Sequence, residues 1–207
     1  MFTYLFLNYL LFHFYTFKII YMKKSVLILG AGRMVQAIAY DLHSDYNLTI
    51  ADISKQALND LEAKFGVKTI ILDVTDTVAL SKAVAPFDLI IGAVPGSFGF
   101  KMLQTVIKAG KKIVDISFAP EDAMSLHEMA LEYGATAIVD IGVAPGLSNL
   151  LIGKHASEMK VESFVCQVGG LPVERKWPYQ YKAPFSPIDV IEEYTRPARI
   201  MRNGKIV

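Results

Sequence analysis

The strongest constraint on the fold is residues 24–52, KSVLILGAGRMVQAIAYDLHSDYNLTIAD. The apolar run VLIL has the length and branching of a strand buried on both faces of a parallel sheet. Gly30 and Gly32 follow, and a second short strand, residues 48–51, ends at Asp52. Between them an apolar periodicity predicts a helix whose inward face holds Met34, Ala37, Ile38 and Leu42. Strand, glycine turn, helix, strand and acid are the parts of a dinucleotide-binding unit.

Each part of this pattern has a physical reason. Gly30 allows a tight turn, and Gly32 lets the backbone approach a pyrophosphate that a side chain would block. The helix start, with Arg33 and Met34, offers N–H groups and the positive end of its dipole to phosphates. Asp52 stands where a carboxylate accepts hydrogen bonds from ribose hydroxyls and repels a 2′-phosphate. We therefore expect NAD as the cofactor, with NADP possible because Arg33 can meet a phosphate.

One position departs from the G-x-G-x-x-G pattern, because Val35 replaces the third glycine. That glycine serves close packing of helix and strand, so we expect Val35 to push the helix outward without abolishing the site. A glycine turn that binds nothing is the alternative, since two glycines alone are weak evidence.

The rest of the chain to residue 139 alternates strands and helices. Apolar runs predict strands at residues 68–72, 88–92, 112–115 and 135–139, and periodicity predicts helices at residues 54–65 and 121–133, with two more between them. This alternation predicts an α/β fold, a Rossmann-type doubly wound parallel sheet.

Small or acidic residues follow successive strands, where a cofactor crevice would open. Asp73 and Val74 come after the third strand, near the expected adenine, although Asp73 can equally be the N-cap of the next helix. Val94 and Pro95 come after the fourth strand, and a plain turn is the alternative there.

A second informative stretch, DIGVAPGLSN at residues 140–149, follows the sixth strand. Its rigid loop, with Val143, Pro145 and Gly146, suits the nicotinamide end of a cofactor. We place the dinucleotide-binding domain at residues 23–146 and the beginning of an α+β substrate domain at residues 147–207. In that second part, VESFVCQV predicts a strand with a buried thiol at Cys166.

Composition excludes several classes of function. The formal net charge is +1 with dispersed basic residues, which indicates no nucleic-acid surface. A single cysteine favours a cytoplasmic location. No His or Cys stands at ligand spacing from His127, so we expect no metal site and a solvated or packing role for that residue.

The first 22 residues are far more aromatic and apolar than the rest. They are marginal as a membrane helix because Asn8, His13 and Lys18 interrupt them. We prefer to interpret them as an extension upstream of a true start at Met22, and a membrane-tethered protein requires them to be genuine.

Four segments together resemble the saccharopine dehydrogenase and lysine 6-dehydrogenase family, namely GAGRM, DIGVAPGLSN, GGLPV and YKAPFSPIDVIEEYTRPARIMRNG. The resemblance covers residues 24–207. It implies an NAD(P)-dependent oxidoreductase that acts on a carbon–nitrogen bond of a small amino-acid substrate, and full-length members that are homodimers. Members continue well beyond the equivalent of Val207, so this chain resembles a truncated form.

The resemblance also assigns residues to the substrate side. Tyr181, Lys182 and Arg175 would face the substrate, because an amino-acid carboxylate needs cationic and hydroxyl partners. Candidates for the general base are Asp140, Lys182 and Asp115. An exposed polar loop is the alternative for Tyr181 and Lys182, and a cofactor sensor or inactive Rossmann fragment is the alternative function.

Overall fold

The computed structural model describes residues 23–169, 172–178, 180, 187–195 and 200–206. Six strands pair in parallel in the order β3-β2-β1-β4-β5-β6. They are β1 Ser25–Leu29, β2 Asn47–Asp52, β3 Lys68–Ile71, β4 Leu89–Gly92, β5 Lys112–Asp115 and β6 Thr136–Ile138. The predicted Rossmann-type sheet is confirmed, with strand ends within about a residue of those expected.

Helices connect the strands and continue after them. They are α1 Arg33–Leu42, α2 Lys55–Phe65, α3 Thr77–Val84, α4 Gly96–Lys108, α5 His127–Glu132, α6 Leu147–Glu158 and α7 Pro187–Thr195. A 3₁₀ turn, Ala123–Leu126, precedes α5. The helix predicted over residues 121–133 therefore begins at residue 123, and its first turn is a 3₁₀ helix. Strands β7 Met201–Arg202 and β8 Lys205–Ile206 form a hairpin around Asn203 and Gly204, whose φ values of 51° and 74° suit a two-residue hairpin turn.

The core lies in two layers, one on each face of the sheet. Along β1, Leu27 and Leu29 pack in the layer that includes residues of α3 and α4. Val26 and Ile28 pack in the opposite layer, with residues of α1 and α2. Full burial of each such side chain stabilises the fold by roughly 1.5–3 kcal/mol. Strand β1 is therefore buried on both faces at the centre of the sheet, between β2 and β4.

The inward face of α1 differs from the predicted one by two positions. Val35 and Ala39 are fully buried, and Ile38 is partly buried. Met34 is 56% exposed and Ala37 is also exposed, so both were wrong as inward residues. The buried stripe begins at Val35 and returns at the three- and four-residue spacing of a helix. Whether Val35 displaces the helix stays a prediction.

The structure also corrects the predicted strand in residues 161–168. Residues 160–169 belong to no helix or strand, and Cys166 is exposed, so the expected strand and buried thiol were wrong. A strand needs a partner for its backbone groups, and no described strand pairs with this segment. Within the described ranges, no helix is long and apolar enough to span a membrane. The proposed anchor, residues 1–22, lies outside those ranges.

Candidate functional site

A cleft of about 970 Å³ opens at the carboxyl ends of the parallel strands. One side is lined by residues 30–35 after β1, residues 51–53 at the end of β2 and residues 72–75 after β3. The other side is lined by residues from the segments after β4, β5 and β6. The cleft therefore lies across the boundary between β1 and β4, where open α/β sheets bind their ligands.

The two glycines after β1 have different tasks. Gly30 has a φ of 114° and donates its N–H to the Ala51 carbonyl at 2.7 Å. A Cβ at Gly30 would lie 2.4 Å from the Ala93 carbonyl oxygen, so the fold itself requires this glycine. Gly32 precedes α1 with a φ of −74°, and a Cβ there would meet nothing within 4 Å. The absent side chain at Gly32 thus leaves free space at a helix start that has no side-chain cap.

Asp52 holds the glycine loop in shape. One carboxylate oxygen accepts the Ala31 N–H at 2.7 Å, and the other accepts the Ser54 N–H at 2.7 Å. The side chain is half-buried and lines the cleft. Carboxylate oxygens have about four acceptor sites, so two hydrogen bonds leave capacity for ribose hydroxyls. A dinucleotide thus fits the arrangement of open backbone at Gly32 and oriented acid at Asp52.

Asp73 lines the cleft and is not a helix cap. Its Oδ1 accepts the Thr75 hydroxyl at 2.7 Å and the Thr75 N–H at 2.8 Å, and these bonds hold the pKa of Asp73 below its usual value. Asp76 caps α3 instead, accepting the N–H groups of Val78 and Ala79, both at 3.0 Å. The N-cap alternative for Asp73 was therefore wrong.

A buried polar pair lies on the opposite side of the cleft. Asp115, at the end of β5, is 3% exposed, and its Oδ1 accepts the Ser117 N–H at 3.0 Å and the Ser117 hydroxyl at 2.5 Å. Burial raises the pKa of Asp115 to about 6, the Ser117 hydrogen bonds oppose that rise, and the charge of Asp140 adds to it. A Cβ at Gly92 would lie 2.3 Å from Asp115 Oδ1, and a Cβ at Gly99 would lie 2.6 Å from Ser117 Oγ. Two glycines on β4 and α4 therefore provide the space for this pair.

Asp140 begins the loop after β6. It is exposed, lines the cleft and has a φ of 53°, a left-handed conformation that is uncommon for a residue with a side chain. The next residue, Ile141, donates its N–H to the Asp115 carbonyl at 3.3 Å. Pro145 also lines the cleft, whereas Val143 is 68% exposed and Gly146 is buried, and neither lines it.

The structure brings most of the predicted site residues together in this cleft. They are Gly30, Gly32, Arg33, Met34, Asp52, Asp73, Val74, Val94, Pro95, Asp140 and Pro145. Arg175 is exposed and does not line the cleft, and Tyr181 and Lys182 lie outside the described residues. Sequence reasoning missed Phe98, Ser117 and Phe118, which also line it. The position of Ser117 and Phe118 directly after a predicted strand was the available signal.

Metal ligation has no support in the described part of the chain. There, His, Cys, Asp and Glu side chains form no group of three or more that could hold a metal ion. His127 is exposed at the start of α5.

Comparisons with known proteins agree with the geometry of the cleft. Residues 26–138 match the family model described as the saccharopine dehydrogenase NADP binding domain. Residues 142–207 match the saccharopine dehydrogenase C-terminal domain. The first match alone covers more than half of the chain.

Two curated relatives from yeasts are also named saccharopine dehydrogenase. The chain is 30% identical over 194 residues to saccharopine dehydrogenase [NADP(+), L-glutamate-forming] from Saccharomyces cerevisiae. This match covers 89% of this chain and 44% of that protein. It is 32% identical over 196 residues to the Schizosaccharomyces pombe protein of that name, covering 88% and 43%.

A solved structure, the apo histidine-tagged saccharopine dehydrogenase (L-Glu forming) from Saccharomyces cerevisiae, matches with a TM-score of 0.72 and 30% identity. The match covers 89% of this chain and 43% of that one, so the chain spans less than half the length of these relatives. With its nicotinamide-dinucleotide-binding half matched to a family model and its fold to a solved member, this chain belongs to the saccharopine dehydrogenase family.

Proposed function

We propose that this chain provides the cofactor-binding part of an NAD(P)-dependent oxidoreductase acting on a carbon–nitrogen bond of an amino acid. The observation that carries the proposal is the cleft at the β1–β4 boundary, with open backbone at Gly32 and an oriented carboxylate at Asp52. The names of the two yeast relatives support this reaction class.

The chain's own residues would divide the cofactor between the two sides of the cleft. Gly32 and the start of α1, including Arg33 and Met34, would hold the pyrophosphate, because a helix N-terminus favours anions. Asp52 would hold the adenosine ribose, and Asp73 with Val74 would border the adenine. The remaining half of the dinucleotide would then lie near Val94, Pro95 and Pro145.

For the choice between the two nicotinamide cofactors, we propose NAD. Both yeast relatives are named for NADP(+), and the family model is described as NADP binding. In this chain, however, both oxygens of Asp52 are fixed by backbone N–H groups at the edge of the cleft. A fixed carboxylate repels a 2′-phosphate and accepts hydrogen bonds from a free 2′-hydroxyl.

The chemistry needs a proton acceptor near the substrate amine. The nicotinamide supplies or accepts the hydride, as the cofactor carries that step. Removal of a hydride and a proton from a carbon–nitrogen single bond gives an imine, which water then hydrolyses. We assign the role of proton acceptor to Asp140, since this residue lines the cleft and is exposed to an entering substrate. Lys182 remains a proposed partner in this role.

The direct test is titration of the 207-residue chain with NADH and NADPH, followed by cofactor fluorescence. We expect NADH to bind roughly tenfold more tightly. An assay of saccharopine or lysine with NAD, read from reduced-nicotinamide absorbance, then tests turnover. Binding without turnover would favour the alternative of a cofactor sensor or inactive fragment, and binding of neither cofactor would contradict the proposal.

Two variants of Asp52 separate charge from hydrogen bonding. Asp52→Asn retains an acceptor oxygen but removes the charge, so NADPH affinity should approach that of NADH. Asp52→Ala also removes the bonds to Ala31 and Ser54, so NADH affinity should fall roughly tenfold. An unchanged NADH-to-NADPH ratio in Asp52→Asn would show that this carboxylate does not determine the preference.

A further inference from the structure

One carboxylate on the adenosine side of the cleft keeps an oxygen available for a ligand. Asp73 follows β3, lines the cleft and is exposed. Its Oδ1 accepts the hydroxyl of Thr75 at 2.7 Å and the N–H of the same residue at 2.8 Å. Among the described residues, no other group donates to this side chain, so Oδ2 is open to a ligand. At neutral pH the ionised carboxylate accepts hydrogen bonds and donates none.

Asp73 lies beside the acid that the proposed function assigns to the ribose. Strands β2 and β3 pair in parallel with Asp52 in register with Ile71, and Leu72 donates its N–H to the Asp52 carbonyl at 3.0 Å. Asp73 is the next residue along the chain, and neighbouring strands lie about 4.8 Å apart. Because the base of a nucleoside is bonded directly to its ribose, a ribose at Asp52 brings its base to the end of β3.

Two apolar side chains at these strand ends suit the faces of a flat aromatic ring. Ile53 directly follows Asp52 and is 70% exposed, Val74 directly follows Asp73 and is half-buried, and both line the cleft. Apolar side chains are favourably covered by the faces of a ring, whereas the polar edge of that ring needs a hydrogen-bond partner. Asp73 offers this edge an acceptor, which matches an N–H donor on the base.

We infer that Asp73 selects the base of the cofactor, with Oδ2 accepting a hydrogen bond from the 6-amino group of adenine. This selection depends on the proposed function, which places a dinucleotide in the cleft with its ribose at Asp52. Adenine has an N–H donor at the 6-position, whereas hypoxanthine and guanine have an acceptor oxygen there. An oxygen at that position faces the carboxylate with no proton between them. A site that bonds a substrate N–H rejects an analogue that lacks it.

The test compares NADH with the reduced nicotinamide hypoxanthine dinucleotide, which differs from NADH in the base alone. Each is titrated into the 207-residue chain at neutral pH, and binding is followed by the fluorescence of the reduced nicotinamide. We expect NADH to bind roughly tenfold more tightly, because the analogue loses a hydrogen bond to a charged group. Hypoxanthine has an N–H at the adjacent ring position, so equal affinities would show that Asp73 does not recognise the 6-position.

Two substitutions of Asp73 should change the affinity ratio in different ways. In Asp73→Asn, the amide oxygen can keep both bonds from Thr75, which puts the amide nitrogen in the place of Oδ2 as a donor. The preference should then invert, with the hypoxanthine dinucleotide binding roughly threefold more tightly than NADH. Asp73→Ala offers neither a donor nor an acceptor, and the two affinities should then agree within about twofold.

The matched control is Asp76→Asn, three residues further along the chain. Asp76 accepts the N–H groups of Val78 and Ala79 as the N-cap of α3, and it does not line the cleft. Since Asn is an equally good N-cap, this variant should keep the affinity ratio of the unmodified chain.

A purely structural role of Asp73 in the loop after β3 would weaken both dinucleotides equally, so the ratio would not change in Asp73→Asn. That result, or equal affinities in the unmodified chain, would overturn the inference while leaving the proposed function in place. Failure of NADH itself to bind would overturn the proposed function, and the role of Asp73 would fail with it.

Discussion

At the scale of single residues, Gly30 and Gly32 show how the same residue type serves structure in one place and a ligand in the other. The first has a positive φ, and a Cβ added there would clash with the Ala93 carbonyl oxygen, whereas the second has an ordinary φ and open space where a Cβ would lie. The sequence pattern predicted both as cofactor-binding positions. The close approach of Gly30 to Ala93, the residue after β4, was beyond sequence reasoning, because it depends on contact between segments 63 residues apart.

This difference predicts opposite outcomes for two substitutions. Gly32→Val should leave the fold intact and abolish NADH binding, because the new side chain fills space that a pyrophosphate needs. Gly30→Ala should lower the free energy of unfolding by at least about 2 kcal/mol, because it combines a backbone clash with an unfavourable φ. Circular dichroism melts and NADH titration measure the two effects. Retained NADH affinity in Gly32→Val would remove the pyrophosphate assignment.

At the scale of elements, the hydrophobic periodicities predicted the order and type of strands and helices well, because each buried face repeats with its own period. The errors arose where tertiary contacts decide. The stripe of α1 begins at Val35 because that residue is buried in the same core cluster as Ala31 and Ala39. Residues 160–169 have the composition of a strand and no described pairing partner, and pairing is a property of the fold rather than of the segment.

In helix α4, helix propensity alone would predict the wrong sign for the effect of Gly99→Ala on the free energy of unfolding. Gly99→Ala should improve the intrinsic helix propensity of α4 by about 1 kcal/mol. The new Cβ would nevertheless lie 2.6 Å from Ser117 Oγ and 2.9 Å from Ser117 Cβ, so we expect a net loss of about 1–3 kcal/mol in the free energy of unfolding.

Gly153→Ala in α6 is the matched control, because a Cβ there meets nothing within 4 Å. It should stabilise the protein by about 0.5–1 kcal/mol. Urea denaturation of both variants measures the difference, and equal stabilisation by the two would show that Ser117 yields to the new methyl group.

At the scale of the whole molecule, the cleft is assembled from the ends of six strands that span more than a hundred residues of sequence. A rule about strand ends therefore predicted part of its lining from sequence, while Val143, Gly146 and Arg175 were placed near it and do not line it. The exclusion of Val143 and Gly146 depends on how the loop after β6 turns, with Leu147 donating its N–H to the Gly142 carbonyl at 2.8 Å. Sequence has no simple signal for that turn.

The buried charge of Asp115 should lower the free energy of unfolding in a pH-dependent way. Its pKa is raised in the folded state from 3.8 to about 6, so the destabilisation is absent below about pH 4 and develops as pH rises to about 6. Two pKa units correspond to about 3 kcal/mol. Asp115→Asn should therefore raise the free energy of unfolding near pH 7 by up to about 3 kcal/mol and have little effect near pH 4. Chemical denaturation at both pH values measures this, and an equal effect at both would contradict the burial argument.

The two backbone bonds accepted by Asp52 have a kinetic consequence. Since they link Ala31 and Ser54 to one carboxylate, the turn after β1 is already shaped when a ligand arrives. A preorganised receptor loses little conformational entropy on association and needs no slow rearrangement. Encounter rates should then be similar for all dinucleotides that reach the cleft, and discrimination among them should be expressed in how long each one stays.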